Sequence, residues 1–89
     1  MLMFVIAVYD VAAERTGRML KLCRQYLNWV QNSVLEGELT RVQLLELETA
    51  ALEIMDPDYD SFILYTNTHV HRTKRRILGR ERMPTDQFL

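Results

Sequence analysis

The stretch MFVIAVYDV, residues 3–11, sets six apolar residues in a row before Tyr9 and then a carboxylate, Asp10. A short continuous apolar run rich in β-branched and aromatic side chains has the pattern of a central strand covered on both faces. The carboxylate that closes the run, Asp10, is out of keeping with that burial.

Working outward, Met19, Leu20, Cys23, Tyr26 and Leu27 recur at the spacing of one helical face, which predicts a first helix from Glu14 to about Leu27. Arg15, Arg18, Lys21 and Gln25 fall toward its other side. NWVQNSVLEGEL, residues 28–39, has β-formers at Trp29, Val30, Val34 and Leu35 broken by Asn32 and Ser33, which suits either a short hairpin or one bent strand. Thr40 followed by Gln43 is a capping-box pattern, and Leu44, Leu47, Ala51, Ile54 and Met55 trace the buried stripe of a second helix. DPDYD, residues 56–60, stops that helix with a proline, and Phe62 to Tyr65 form another apolar strand. A terminal strand is expected near residues 74–79, too poor in apolar residues for the centre of a sheet and better suited to an edge that finds its partner elsewhere.

The order of strand, helix, strand or hairpin, helix, strand, with a basic strand-like tail, is that of an α+β, ferredoxin-like βαββαβ sandwich, in which two helices cover one face of an antiparallel sheet. At 89 residues the chain is one domain, 1–89, small enough to gain from a partner subunit. A single cysteine, Cys23, excludes a disulfide framework or multi-cysteine metal site and is expected in the core. The apolar start lacks a basic flank and ends at Asp10, too short for a signal core or a membrane span. A soluble, cytoplasmic protein is expected.

Net charge is −1, but the charges are segregated. Residues 36–60 hold eight acids against Arg41, while residues 69–82 hold six bases (Arg72, Lys74, Arg75, Arg76, Arg80, Arg82) against Glu81. Six bases in so short a tail point to backbone-phosphate contact, which is salt-sensitive and blind to sequence. Arg15, Arg18 and Lys21 would offer phosphates a second set of donors, or form an ordinary exposed helix face. Asp10 suits first a helix cap or turn, as Asp very often does, and second a Mg²⁺ site, since that hard cation often takes one or two protein carboxylates plus waters. A symmetric dimer would double the oxygen ligands. His69 and His71 have no neighbouring acids or cysteines and read as exposed polar residues. No glycine-rich phosphate loop or Ser-His-Asp order occurs.

VYDV ending the first strand, VQNSVLEGEL after the first helix, the acid-rich helix stop leading into DSFILY, and ILGRER followed by DQFL together resemble the Cas-two family of CRISPR-associated proteins. The resemblance runs over almost the whole chain. It implies a homodimer in which the basic strand and tail, residues 69–89, are exchanged with or packed on the partner subunit. It implies a subunit of the spacer-acquisition complex that joins the CRISPR integrase, the Cas-one protein, and binds duplex DNA. It also implies Mg²⁺-dependent endonuclease activity on single-stranded RNA or DNA, with Asp10 as the metal ligand and Tyr9, Arg15 and Arg18 assisting. Arg15, Arg18, Arg72, Lys74, Arg75 and Arg76 are the expected nucleic-acid contacts. A toxin-like ribonuclease of the virulence-associated protein D type shares the fold and the strand-end acid and is the alternative. The glycine that commonly ends the family's first helix is absent, and Asn28 is expected to adopt the left-handed conformation in its place.

Overall fold

The computed structural model of the chain describes residues 2–69 and 72–80. Seven elements follow in order: β1 (Leu2–Asp10), α1 (Ala13–Cys23), β2 (Asn28–Gln31), β3 (Val34–Thr40), α2 (Arg41–Ile54), β4 (Ser61–His69) and β5 (Arg72–Gly79). One antiparallel sheet runs β2-β3-β1-β4-β5, the ferredoxin-like order with a fifth strand added at one edge.

β1 lies in the middle of the sheet, but within one chain it is covered on one face only. Met3, Val5, Ala7 and Tyr9 are buried beneath the helices, while Leu2 and Phe4 are exposed on the reverse and Ile6 and Val8 are half-buried. The expected burial of both faces gives way to the two-layer geometry, since α1 and α2 occupy the same side. Beneath them, Leu35, Leu39, Leu47, Met19, Phe62 and Leu64 complete a core with 2% exposure or less at each. Burying side chains of this size stabilises the fold by roughly 1.5–3 kcal/mol each.

Asn32 and Ser33 form a two-residue hairpin turn, closed by the Gln31–Val34 pair, and Asn32 takes a positive φ of 46°. That settles the hairpin against the bent strand. It also moves the left-handed residue: α1 ends at Cys23, five positions before Asn28, capped by Arg24 in right-handed geometry (φ −70°), and Asn28 opens β2. The capping box at α2 is present in full, with the Gln43 amide donating to Thr40 Oγ1 at 3.1 Å and the Thr40 amide donating to Gln43 Oε1 at 2.9 Å.

The terminal strand hydrogen-bonds to β4 of its own chain, from His69–Arg72 to Ser61–Gly79. The expectation that residues 69–89 are exchanged with or packed on a partner subunit concerns a second copy and stands beside this pairing. Within the single chain two apolar positions hold it at home, Leu78 opposite Phe62 under the helix layer and Ile77 opposite Ile63 on the other face. The tail beyond Arg80, with Phe88 and Leu89, lies outside the described residues, as do Val70 and His71.

Candidate functional site: the Asp10 rim and the basic edge

Asp10 is the last residue of β1 and pairs with Ser61, the first of β4. Strand alternation puts it on the helix-free face with Phe4, Ile6 and Val8, and it is exposed. Tyr9, one residue earlier, therefore points the opposite way. Its ring is 4% exposed in the core beneath α1, where burial and the nearby Cys23 thiol raise its pKa. The two residues expected to act together are thus separated by the sheet itself, because adjacent positions in a strand cannot share a face. Cys23 is fully buried, and burial pushes its thiol up to about 12, far from the thiolate a ligand or nucleophile needs.

Arg15 has a definite partner. Its Nε donates to Asp60 Oδ2 at 2.6 Å and its terminal nitrogen Nη2 to Asp60 Oδ1 at 3.1 Å. Asp60 also accepts from the Ala12 amide (2.9 Å) and the Asp56 amide (2.9 Å), so one carboxylate ties the start of α1 to the α2–β4 turn. Burial would raise the pKa of this fully buried acid. The hydrogen bonds from Arg15, Asp56 and Ala12, with the Arg15 charge, outweigh it and hold Asp60 at about 2. The hydrogen bond to Asp60 correspondingly raises Arg15. Arg15 is expected to meet phosphate or assist at Asp10; its side chain is 20% exposed and its guanidinium is hydrogen-bonded to Asp60 on the helix side of the rim. Arg18 is exposed along α1.

Asp60 is the residue that sequence reasoning passed over. It sits in DPDYD with two other acids, and spacing does not say which of the three turns inward. The only signal was its position directly before the apolar strand SFILY.

On β5, Lys74 and Arg76 are exposed on the helix side of the sheet, and Arg75 is half-buried on the other face opposite Tyr65. Arg72 stands at the strand's first position. Arg76 approaches the buried Glu48 of α2 at 3.6 Å. Between α2 and β5 a cleft of about 460 Å³ collects Arg41, Lys74 and Arg76 around Glu48, over the apolar side chains of Met3 and Leu44.

Among the described residues no three potential ligands of the His, Cys, Asp or Glu type come together to hold a metal ion. Asp10 offers one carboxylate per chain. A hard, oxygen-preferring cation fits that donor, provided waters or a second carboxylate complete its shell. Among the described residues no helix is long and apolar enough to cross a membrane.

The strand order, the single helix layer and the acid at the end of the central strand define a ferredoxin-like α+β protein with a carboxylate rim and a basic edge strand. Residues 3–75 match the family described as CRISPR associated protein Cas2. The chain is 42% identical over 87 residues to the CRISPR-associated endoribonuclease Cas2 of Methanocaldococcus jannaschii, covering 98% of this chain and 76% of that protein. It is 39% identical over 87 residues to the protein of the same name from Thermococcus kodakarensis, covering 98% of this chain and all of the relative. A solved structure described as the crystal structure of cas2 superposes with a TM-score of 0.74 at 41% identity, covering 96% of this chain and 95% of that one. Streptococcus pyogenes Cas2 follows at a TM-score of 0.65 and 32% identity, over 70% and 82% of the two chains. This chain belongs to the Cas2 family of CRISPR-associated proteins.

Proposed function

We propose that this chain is a CRISPR-associated endonuclease that works as a homodimer, hydrolysing phosphodiester bonds of single-stranded RNA with Mg²⁺ held between two copies of Asp10. The observation that carries this reading is the position of Asp10 at the end of an uncovered apolar sheet face. Phe4, Ile6, Val8 and Ile77 line that face around Ile63, which is already buried, with Glu36 and Glu38 of β3 on one side and Arg75 of β5 on the other. Packing a second copy there, about a twofold running along the strands, buries the apolar residues, sets acid over base, and draws the two Asp10 rims toward each other. Relatives at about 40% identity carry the name endoribonuclease, which supports the reaction class.

In this reading Asp10 anchors the ion, and Arg18 on the exposed side of α1 neutralises substrate phosphate. Arg15 and Asp60 keep the start of α1 fixed behind the rim. Tyr9 contributes by packing. Mg²⁺, when bound, stabilises phosphoryl charge and lowers the pKa of an attacking water. The test is Asp10→Asn: RNA cleavage falls at least 100-fold while the dimer mass by light scattering stays the same. Undiminished cleavage by the variant overturns the reading.

The exposed Lys74 and Arg76 favour a second role for the same dimer, as a cytoplasmic adaptation subunit that holds duplex DNA alongside the Cas-one integrase. It predicts duplex binding at low salt that ignores base sequence. Absence of such binding with the integrase present removes this role and leaves the first standing.

A further inference from the structure

α2 is apolar on two sides. Leu47 and Ala51 face the sheet, with Leu44 and Ile54 packed against the same core. On the opposite side Val42, Leu45, Thr49 and Leu52 fall at i, i+3, i+7 and i+10, which is one line along the helix. Val42 is 66% exposed, Leu45 61% and Leu52 47%. Single exposed aliphatic residues are ordinary on a protein surface, but three in register on a well-capped helix form a continuous stripe. A helix apolar on both sides belongs between two layers, and this one has a layer on one side only. Glu46 and Glu53, seven residues apart and exposed, run along one border of the stripe.

We infer that the outer stripe of α2 docks a cationic amphipathic helix of another protein, whose aliphatic face covers Val42, Leu45 and Leu52 and whose Lys or Arg residues meet Glu46 and Glu53. From Val42 to Leu52 the stripe runs roughly 15 Å, so about three turns of partner helix cover it.

Charge decides between occupants. Nucleic acid and anionic membrane are repelled by the exposed Glu46 and Glu53 beside the stripe and the exposed Asp56 and Asp58 just past the helix end, against one exposed base on α2, Arg41. A second copy of this chain fits poorly too. Its basic helix α1 buries Met19, Leu22 and Cys23 in its own core, so it brings charge without an aliphatic stripe. Antiparallel pairing of two α2 stripes would lay four carboxylates along one edge. The surface is separate from the Asp10 rim, and the inference holds whether or not Asp10 binds metal.

The test uses the full chain and two fluorescein-labelled 18-residue designed helices with the same leucine stripe, one flanked by lysines and one by glutamates. In anisotropy titrations the lysine-flanked peptide binds at least ten-fold more tightly. Leu45→Ser with Leu52→Ser, both at exposed positions, weakens it ten-fold or more with an unchanged circular dichroism spectrum. Glu46→Lys with Glu53→Lys reverses the preference between the peptides. Equal binding of the two peptides, indifference to either pair of substitutions, or a change in the protein's own oligomeric mass in the serine variant overturns the inference.

Discussion

Arg15 grips Asp60 through two nitrogens, at 2.6 and 3.1 Å, across 45 residues of sequence. The carboxylate is completely buried, and its other two hydrogen bonds reach backbone amides on both sides of the rim. The residue expected to meet substrate is thus the clasp that holds the end of β1, the start of α1 and the α2–β4 turn together.

Acid should open this clasp. Asp60 is held at about 2, below its ordinary 3.8, so its contribution to stability is fully present above pH 4 and is lost as pH falls toward 2. Allowing for the partly exposed guanidinium, the clasp is worth about 1–2 kcal/mol. Asp60→Asn keeps the shape but removes the charge. Urea denaturation should show the wild type more stable than this variant at pH 7, with the difference shrinking below pH 4. A gap that persists undiminished at pH 2 would show that charge is not what the clasp uses.

Gly79 closes the same corner. It has φ +85°, and a Cβ added there would run into the carbonyl oxygen of Asp60, which accepts the Arg80 amide at 2.8 Å. Gly79→Ala meets both the backbone strain and the clash, so it should cost about 2–3 kcal/mol. Gly17 is the control, since a Cβ there meets nothing within 4 Å and a helix interior favours alanine. Thermal melts of the two variants should therefore move in opposite directions.

Much of this architecture was legible in the sequence because it is local. The run at residues 3–8, the Asn32-Ser33 turn and the Thr40–Gln43 box each carry their instruction within a few residues. The Asp10–Tyr9 separation was legible too, since period-two alternation forbids neighbours in a strand from sharing a face, but the family resemblance drew them together. The Arg15–Asp60 clasp was not, because nothing in either segment names a partner 45 residues away. Nor was the home of β5: Ile77 and Leu78 are too few to mark a pairing, and only the register with Ile63 and Phe62 shows what they pack on.

The open sheet face makes the dimer testable without reference to activity. Val8 lies between Val34 and Ile63 at the centre of the apolar patch, half-buried in one chain. Val8→Asp would place an uncompensated charge on each side of the interface, a defect of about 3–5 kcal/mol. Light scattering across a dilution series should show the dissociation constant rising by at least 100-fold, with the monomer still folded by circular dichroism. A variant that stays dimeric at the wild-type concentration would put the subunit contact elsewhere.

The basic edge should reveal itself through salt. Lys74 and Arg76 are exposed, and Arg76 lies near a buried carboxylate, Glu48, at 3.6 Å. A phosphate approaching this edge competes with Glu48 for Arg76 but not for Lys74, so the two cations are not equivalent. Each cation that neutralises a phosphate adds about 0.7–0.9 to the slope of log affinity against log salt. Lys74→Ala should remove about that amount from the slope for single-stranded RNA or duplex DNA. Arg76→Ala should remove less, because Glu48 already neutralises part of that charge, and it should also lower affinity by leaving Glu48 as an uncompensated negative charge. Glu48→Gln then separates the two effects: it frees Arg76, so affinity should rise at low salt and the slope should steepen. If Lys74→Ala leaves both affinity and slope unchanged, nucleic acid does not bind along β5.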